Sequence, residues 1–77
     1  MNDALHNRMR VFRAEHRMSQ EELASAIGVT RKTISTIESG RFIPSTVTAL
    51  RLARYFKVPV EEIFSLPDAS GSDGIAP

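Results

Sequence analysis

Apolar residues recur at the spacing of one helical face along most of this 77-residue chain. Leu5, Met9 and Phe12 stand at positions i, i+4 and i+7, which predicts a first helix from about Leu5 to His16. The same period continues through four later segments, and none shows the alternating pattern of a strand of useful length. The inward-facing positions predicted there are Leu23, Ala24, Ile27, Val29, Ile34, Ile37, Ala49, Leu52, Ala53, Phe56, Val60, Ile63 and Phe64. The pattern predicts an all-α fold of five helices.

Capping residues mark the ends of the second and third helices. Ser19 and Glu22 have the spacing of a capping box, in which each side chain binds the backbone N–H of the other. Gly28 predicts the end of the second helix, because glycine takes a positive φ without a Cβ clash. Thr30 is the predicted cap of the third helix, and Gly40 ends it. A turn of about three residues between two short helices fixes a steep crossing angle.

The remaining boundaries follow from prolines and from composition. Pro44 interrupts the chain, and Ser45 is placed to cap a fourth helix that ends near Lys57. Pro59 opens a short fifth helix. Residues 1–66 are therefore predicted to form one domain, and residues 67–77, "PDASGSDGIAP", to form a disordered polar tail.

The composition excludes several classes of site. Without cysteine, neither a disulfide nor a thiolate zinc site can form. His6 and His16 would lie roughly 15 Å apart along a continuous helix and cannot share a metal. A bundle of this size offers little cleft for catalysis, so we expect no enzyme activity, no metal, no cofactor and no small-molecule ligand. No apolar run could span a bilayer and no secretory signal is present, which predicts a cytoplasmic protein without a membrane partner.

The net charge of +1 conceals an uneven distribution along the chain. All ten Lys and Arg residues lie between Arg8 and Lys57, where only four acids occur. That segment carries a charge of +6, and the flanking segments carry −5. A basic body attracts polyanions, although an arginine on a helix can equally be a solvated surface residue.

The third predicted helix combines an apolar side with a basic, polar one. Ile34 and Ile37 belong to the apolar side. The opposite side has no acid, and its residues are Arg31, Lys32, Ser35, Thr36 and Ser39. Such side chains can donate to base edges and phosphates, so the two short helices have the layout of a DNA-reading helix-turn-helix. The alternative from pattern alone is an ordinary helical hairpin within another bundle.

The chain from Asn7 to Leu66 resembles the Xre-type helix-turn-helix regulators, the group of the lambdoid phage repressors and Cro. The segments that match are "NRMRVFRAEHRMSQEELASAIGVTRKTISTIESGRFIPS" and "ALRLARYFKVPVEEIF". The resemblance implies a compact five-helix, lambda-repressor-like domain, with helices 2 and 3 as the helix-turn-helix. It also implies that helix 3 enters the major groove of double-stranded DNA, and that the protein acts as a homodimer on a two-fold symmetric operator.

The resemblance implies roles for individual residues. The base-reading positions of the family fall on Arg31, Lys32 and Thr36, with Ser35 beside them. Its phosphate-binding positions, at the start of helix 2 and after helix 3, fall on Ser19, Gln20, Ser39 and Arg41. The family also pairs an arginine of helix 1 with a glutamate near the end of helix 3, here Arg13 and Glu38.

The start of the fourth helix departs from the family, because Thr46 and Thr48 stand where leucines are common. We expect a dimer to use the surface of this domain itself. The interface candidates lie at the borders of the predicted core stripes and are Leu50, Tyr55, Phe64 and Leu66. Single exposed apolar residues are also ordinary surface features, so pattern alone leaves this interface open.

Two functional classes compete. The first is a sequence-specific transcriptional regulator, most simply a repressor, although activation would need no different fold. The second is a helical protein-binding module, such as an adaptor or an antitoxin that covers a toxin. An antitoxin needs a segment that folds on its partner, and Ile75 is the lone apolar anchor in the tail. The sequence therefore favours the DNA-binding regulator.

Overall fold

The computed structural model of the protein describes residues 5–67, and in that range five helices are flanked by two short strands. The elements in chain order are β1 (His6–Asn7), α1 (Met9–Glu15), α2 (Gln20–Ile27), α3 (Arg31–Glu38), α4 (Thr46–Phe56), α5 (Val60–Ile63) and β2 (Phe64–Ser65). The five predicted helices are confirmed. The predicted tail lies outside the described residues apart from Pro67.

Helix α1 begins four residues later than the sequence predicted, because the preceding segment pairs with the end of the chain. Strand β1 lies antiparallel to β2, and the register pairs His6 with Ser65 and Asn7 with Phe64. The Arg8 N–H donates to the Ile63 carbonyl oxygen at 2.8 Å. The Met9 N–H, at the start of α1, donates to Oδ1 of Asn7 at 3.3 Å. Backbone groups bound to another segment cannot also bond within a helix.

The caps of the helix-turn-helix are those expected from the sequence. Ser19 Oγ accepts from the Glu22 N–H at 3.0 Å, and Glu22 Oε1 accepts from the Ser19 N–H at 2.8 Å. Gly28 ends α2 with a φ of 82°. Thr30 Oγ1 then accepts from the Thr33 N–H at 3.2 Å at the start of α3. These bonds satisfy donors that a helix start leaves free, and the left-handed glycine turns the chain directly into α3.

The boundaries of α4 and α5 are also close to the predicted ones. Ser45 Oγ accepts from the Thr48 N–H at 3.1 Å and caps α4. Helix α4 ends at Phe56, and Lys57 takes a left-handed conformation with a φ of 59°. Pro59 occupies the position before α5, whose first turn carries two glutamates that interact favourably with the positive end of the helix.

One apolar core joins all five helices. Its buried residues are Met9, Leu23, Ala24, Ile27, Ile34, Ile37, Leu52, Ala53, Phe56, Ile63 and Phe64. The prediction that Phe64 belongs to a dimer surface needs correction, since its side chain is only 8% exposed and packs in this core. Strand β2 turns Phe64 inward and leaves Ser65 outward, as alternation along a strand requires. No helix within residues 5–67 has the length and apolar character needed to cross a membrane.

Candidate nucleic-acid interface

The outer face of α3 presents two cations to solvent. Arg31 and Lys32 occupy its first turn and are exposed, and Ser35 and Thr36 are half-buried one turn later. The opposite face packs Ile34 and Ile37 into the core. A long basic side chain at the start of an inserted helix can reach the O6 and N7 atoms of guanine. The arrangement therefore suits base recognition from the first turn of α3.

The cations on this face are free of competing carboxylates. In the part of the chain that the structure describes, salt bridges form only at Arg10 and Arg13, and both use Glu38. Arg31, Lys32 and Arg41 have no such partner there and are exposed. A cation without a bound carboxylate attracts phosphate without first breaking an ion pair.

The hydroxyl groups of Thr36 and Ser39 are less available than the sequence suggested. Thr36 Oγ1 donates back to the carbonyl oxygens of Lys32 and Thr33, at 2.9 Å and 3.1 Å. Ser39 Oγ donates to the Thr36 carbonyl oxygen at 3.0 Å. A hydroxyl has one hydrogen, so neither side chain can donate to a base or a phosphate while these bonds persist. Each can still accept a hydrogen bond.

The start of α2 offers one hydroxyl donor for a phosphate. Ser19 Oγ accepts from the helix backbone, which leaves its own hydrogen unused in that bond. Gln20, the other residue predicted for phosphate binding there, has its side-chain amide turned inward and donates from Nε2 to Glu38 Oε1 at 3.1 Å. Ser19, the exposed Arg41 and the second amide hydrogen of Gln20 therefore remain available to phosphate, whereas Ser39 would have to exchange partners.

Glu38, the last residue of α3, joins three helices through its carboxylate. Arg13 of α1 donates from Nε to Oε2 at 2.7 Å and from Nη2 to Oε1 at 3.2 Å. Gln20 of α2 donates to the same Oε1, and Arg10 Nε lies 3.7 Å from it. The side chain of Glu38 is only 1% exposed, and that of Arg13 is 18% exposed. We call Arg10, Arg13, Gln20 and Glu38 the Glu38 cluster, and it ties the reading helix to α1 and α2.

The surroundings of Glu38 decide its ionisation. Burial would by itself raise the pKa of the carboxyl group. Hydrogen bonds from Arg13 and Gln20, with the charges of Arg13 and Arg10, outweigh burial and hold the pKa of Glu38 below its usual value. The hydrogen bond to Glu38 also raises the pKa of Arg13. Glu38 is therefore ionised at neutral pH, and the cluster keeps a net positive charge.

The lowered pKa of Glu38 predicts a loss of stability in acid. The contribution of the carboxylate is complete above its pKa in the unfolded chain, about 4.3. It disappears as the pH falls through the lower pKa of the folded state. We expect the difference in free energy of unfolding between wild type and Glu38→Gln to shrink on acidification. Urea titrations at a series of pH values measure it, and a difference that stayed constant down to about pH 2 would contradict the prediction.

The structure adds functional contacts that the sequence analysis did not identify. Asn7 Nδ2 donates to the Ile37 carbonyl oxygen at 3.2 Å, which fixes β1 against the end of α3. Gln20 and Arg10 join the Glu38 cluster, although the motif had predicted only the pair with Arg13. The contact of Gln20 with Glu38 was hard to predict from the sequence, because a glutamine at the start of helix 2 also fits a phosphate-binding role.

The interface candidates do not form one surface. Leu50 and Leu66 are exposed, but Tyr55 faces another side of α4. Leu50 and Tyr55 are five residues apart, which places them about 140° apart around the helix axis. Tyr55 borders a cavity of about 270 Å³ with Ala26 and Ile27 of α2. Val47, 57% exposed, instead lies one turn before Leu50 on the same face of α4.

Comparison with known proteins identifies relatives that are similar to this protein over most of its length. The helix-turn-helix family matches residues 9–63. An HTH-type transcriptional regulator of Methanocaldococcus jannaschii is 42% identical over 62 residues, which cover 80% of this chain and 94% of the relative. A transcriptional repressor of the cryptic phage CTXphi, from Vibrio cholerae, is 36% identical over 59 residues. That match covers 77% of this chain and 53% of the repressor.

A solved structure shares the fold. The solution structure of the SOS-response transcriptional repressor LexA from Eubacterium rectale superimposes with a TM-score of 0.69 at 26% sequence identity. The match covers 90% of this chain and 71% of that chain. The helix arrangement described above is therefore that of an established DNA-binding architecture.

Proposed function

Since this chain belongs to the helix-turn-helix family of DNA-binding transcriptional regulators, we propose that it is a repressor that binds an inverted-repeat operator as a homodimer. Helix α3 enters the major groove of each half-site. The observation that carries the proposal is the pair of exposed cations, Arg31 and Lys32, at the start of a helix whose opposite face is buried. A protein of this kind acts in the cytoplasm, on the DNA of the nucleoid.

Base recognition and phosphate binding fall to different residues. Base edges are read by the exposed face of α3, through Arg31, Lys32, Ser35 and Thr36. Phosphates are bound on either side of it, by Ser19, Gln20, Ser39 and Arg41. Ser19 and Arg41 have free donors for this task. They precede and follow α3 in the chain, and phosphate contacts there would fix the register of the protein on the duplex.

We propose a dimer because one helix can read only a short DNA sequence. A single recognition helix covers a few base pairs, which is too little to distinguish one site in a genome. Two copies related by a two-fold axis insert their helices into successive major grooves about 34 Å apart, which requires half-sites centred roughly 10 base pairs apart. The contact between copies must then be self-complementary.

The exposed face of α4 is the surface that we propose for this contact. Val47 and Leu50 lie one turn apart on it, and Ile43 precedes the helix and is also exposed. Leu66, one of the interface candidates predicted from the sequence, is also exposed. Apolar side chains that share a helix face lose contact with water together when a second copy covers them, which favours association.

Selection of bound sequences from a random DNA pool tests the proposed function. We expect the purified protein to enrich an inverted repeat, and sedimentation with that duplex to give two protein chains per DNA. The competing class, a protein-binding module, predicts no enriched sequence. A monomer bound one-to-one to an asymmetric site would contradict the dimer and leave DNA recognition intact.

Substitution of base and phosphate contacts should have separable effects. We expect Arg31→Ala to weaken binding of the selected site by about 1–3 kcal/mol and to relax the preference at particular base pairs. Arg41→Ala should weaken binding to all sequences about equally and lower the slope of log affinity against log salt by roughly one. Fluorescence anisotropy with the selected duplex and a scrambled duplex, over a range of salt concentrations, measures both.

The matched control for these variants is Arg54→Ala, because Arg54 is exposed on α4 and lines the cavity beside α2, away from α3. It removes the same charge, so its effect reports the long-range field alone. Full operator preference in Arg31→Ala would remove Arg31 from the base-reading set.

A further inference from the structure

A cleft runs between α3 and the loop that follows it. Its volume is about 360 Å³, and its lining residues are Thr30, Lys32, Thr33, Thr36, Arg41 and Phe42. Five of these are polar or basic, and Lys32 and Thr36 belong to the base-reading set. The cleft therefore opens on the surface that the proposed function places in the major groove, and a pocket of this size admits the edge of a base.

Phe42 is the apolar wall of the cleft. Its side chain is 53% exposed, although it stands beside basic and hydroxylated neighbours. Phe42 also borders a second cavity, lined by the core residues Ile37 and Phe64 and by Leu5. The aromatic ring thus lies at the edge of the core, with part of its surface turned to the cleft. On a DNA-binding face, such a ring offers contact area but no hydrogen bond.

The threonines of the cleft have most of their donors engaged inside the protein. Thr36 Oγ1 uses its hydrogen on the carbonyl oxygens of Lys32 and Thr33. Thr30 Oγ1 and Thr33 Oγ1 lie 3.1 Å apart, so one of these two hydroxyls donates to the other. Two of the three threonine hydrogens are therefore unavailable to a base. The threonines therefore offer the cleft their methyl groups more than hydrogen-bond donors.

We propose that this cleft binds the C5-methyl group of a thymine in the operator, between the Phe42 ring and the γ-methyl group of Thr36. In the major groove thymine is distinguished by that methyl group, and threonine methyl and phenylalanine side chains are suited to contact it. Lys32 and Arg41 line the same cleft, and their charges would attract the DNA to it. The inference rests on the proposed function, and it assigns to Phe42 a role in specificity.

Replacement of thymine by deoxyuridine in the selected duplex tests the inference, since it removes only the methyl group. We expect one thymine in each half-site at which this change weakens wild-type binding by about three- to tenfold, the effect of one buried methyl group. Competition against the unmodified duplex, one thymine position at a time, measures the ratio of affinities.

Three variants locate the contact. We expect Phe42→Ala and Thr36→Ser to bind the thymine and deoxyuridine duplexes equally at that position. Thr36→Val, which keeps a methyl group in place of the hydroxyl, should retain the discrimination. Val11→Ala is the matched control, because Val11 is an exposed apolar residue of α1 that neither lines the cleft nor belongs to the proposed dimer contact. Thermal unfolding of each variant verifies that it is folded.

The outcomes separate the inference from the function on which it rests. Sequence-specific binding with no effect of deoxyuridine at any thymine, or a selected half-site that contains no thymine, overturns the methyl contact and leaves the DNA-binding function in place. Discrimination that persists in Phe42→Ala or in Thr36→Ser also overturns it. Failure of the wild type to select any sequence overturns both proposals together.

Discussion

Replacement of Glu38 by glutamine is expected to lower the free energy of unfolding by about 2–4 kcal/mol at neutral pH. The variant keeps the size of the side chain but removes the charge that Arg13 and Gln20 bind. Arg13 would remain largely buried without a carboxylate, and loss of one partner from a buried ion pair is strongly destabilising. For a domain of this size, such a loss is a large share of the total stability.

Urea unfolding of wild type and Glu38→Gln measures the effect, with Glu15→Gln as the matched control. Glu15 is exposed and forms no salt bridge in the part of the chain described here. The double variant Arg13→Met, Glu38→Gln should recover part of the loss, because the arginine without a carboxylate is then removed as well. An unchanged urea midpoint in Glu38→Gln would show that the pair is only a surface contact.

Replacement of Leu50 by glutamate is expected to lower operator affinity by about 10²–10⁴-fold. A charge at the proposed contact between two copies would have to be desolvated in the dimer, so the dimer should dissociate. Each monomer would then bind its half-site without the gain that comes from linkage to a second copy. Affinity for an isolated half-site should change little, because Leu50 lies on α4 and outside the reading face.

Sedimentation with and without DNA, together with anisotropy on full and half operators, measures both expectations. Val11→Glu is the matched control, because it places the same charge at an exposed aliphatic residue of α1. A Leu50→Glu protein that remained dimeric would move the interface elsewhere on the domain. Equal losses on the half-site and the full operator would indicate damage to the reading surface.

The chain's local sequence determined the helix-turn-helix. Ser19, Gly28 and Thr30 mark its boundaries, and the structure has a capping bond or a left-handed turn at each of them. Caps and turns depend on groups within about four residues, so they can be predicted from a single sequence. The exposed positions of Arg31 and Lys32 follow from helical periodicity in the same way, and their contacts with bases stay predictions.

Long-range contacts decided the features that sequence analysis missed. Helix α1 begins at Met9 because residues 6–8 bond to the segment around α5 and β2, more than fifty residues away in sequence. Phe64 is buried for the same reason, since pairing of β1 with β2 turns its side chain into the core. A two-residue strand has no pattern of its own, so its existence depends on its partner.

The sequence by itself determined the family, the five helices and the basic face of α3, since each depends on motifs or on spacing within one segment. Only the tertiary structure decided how the polar groups of that face are used. Gln20 donates to Glu38, the Thr36 hydroxyl donates to carbonyl oxygens of its own helix, and Phe42 forms the apolar wall of a cleft beside it. A hydrogen-bonding group serves whichever partner folding brings within reach, and residue type alone does not specify that partner.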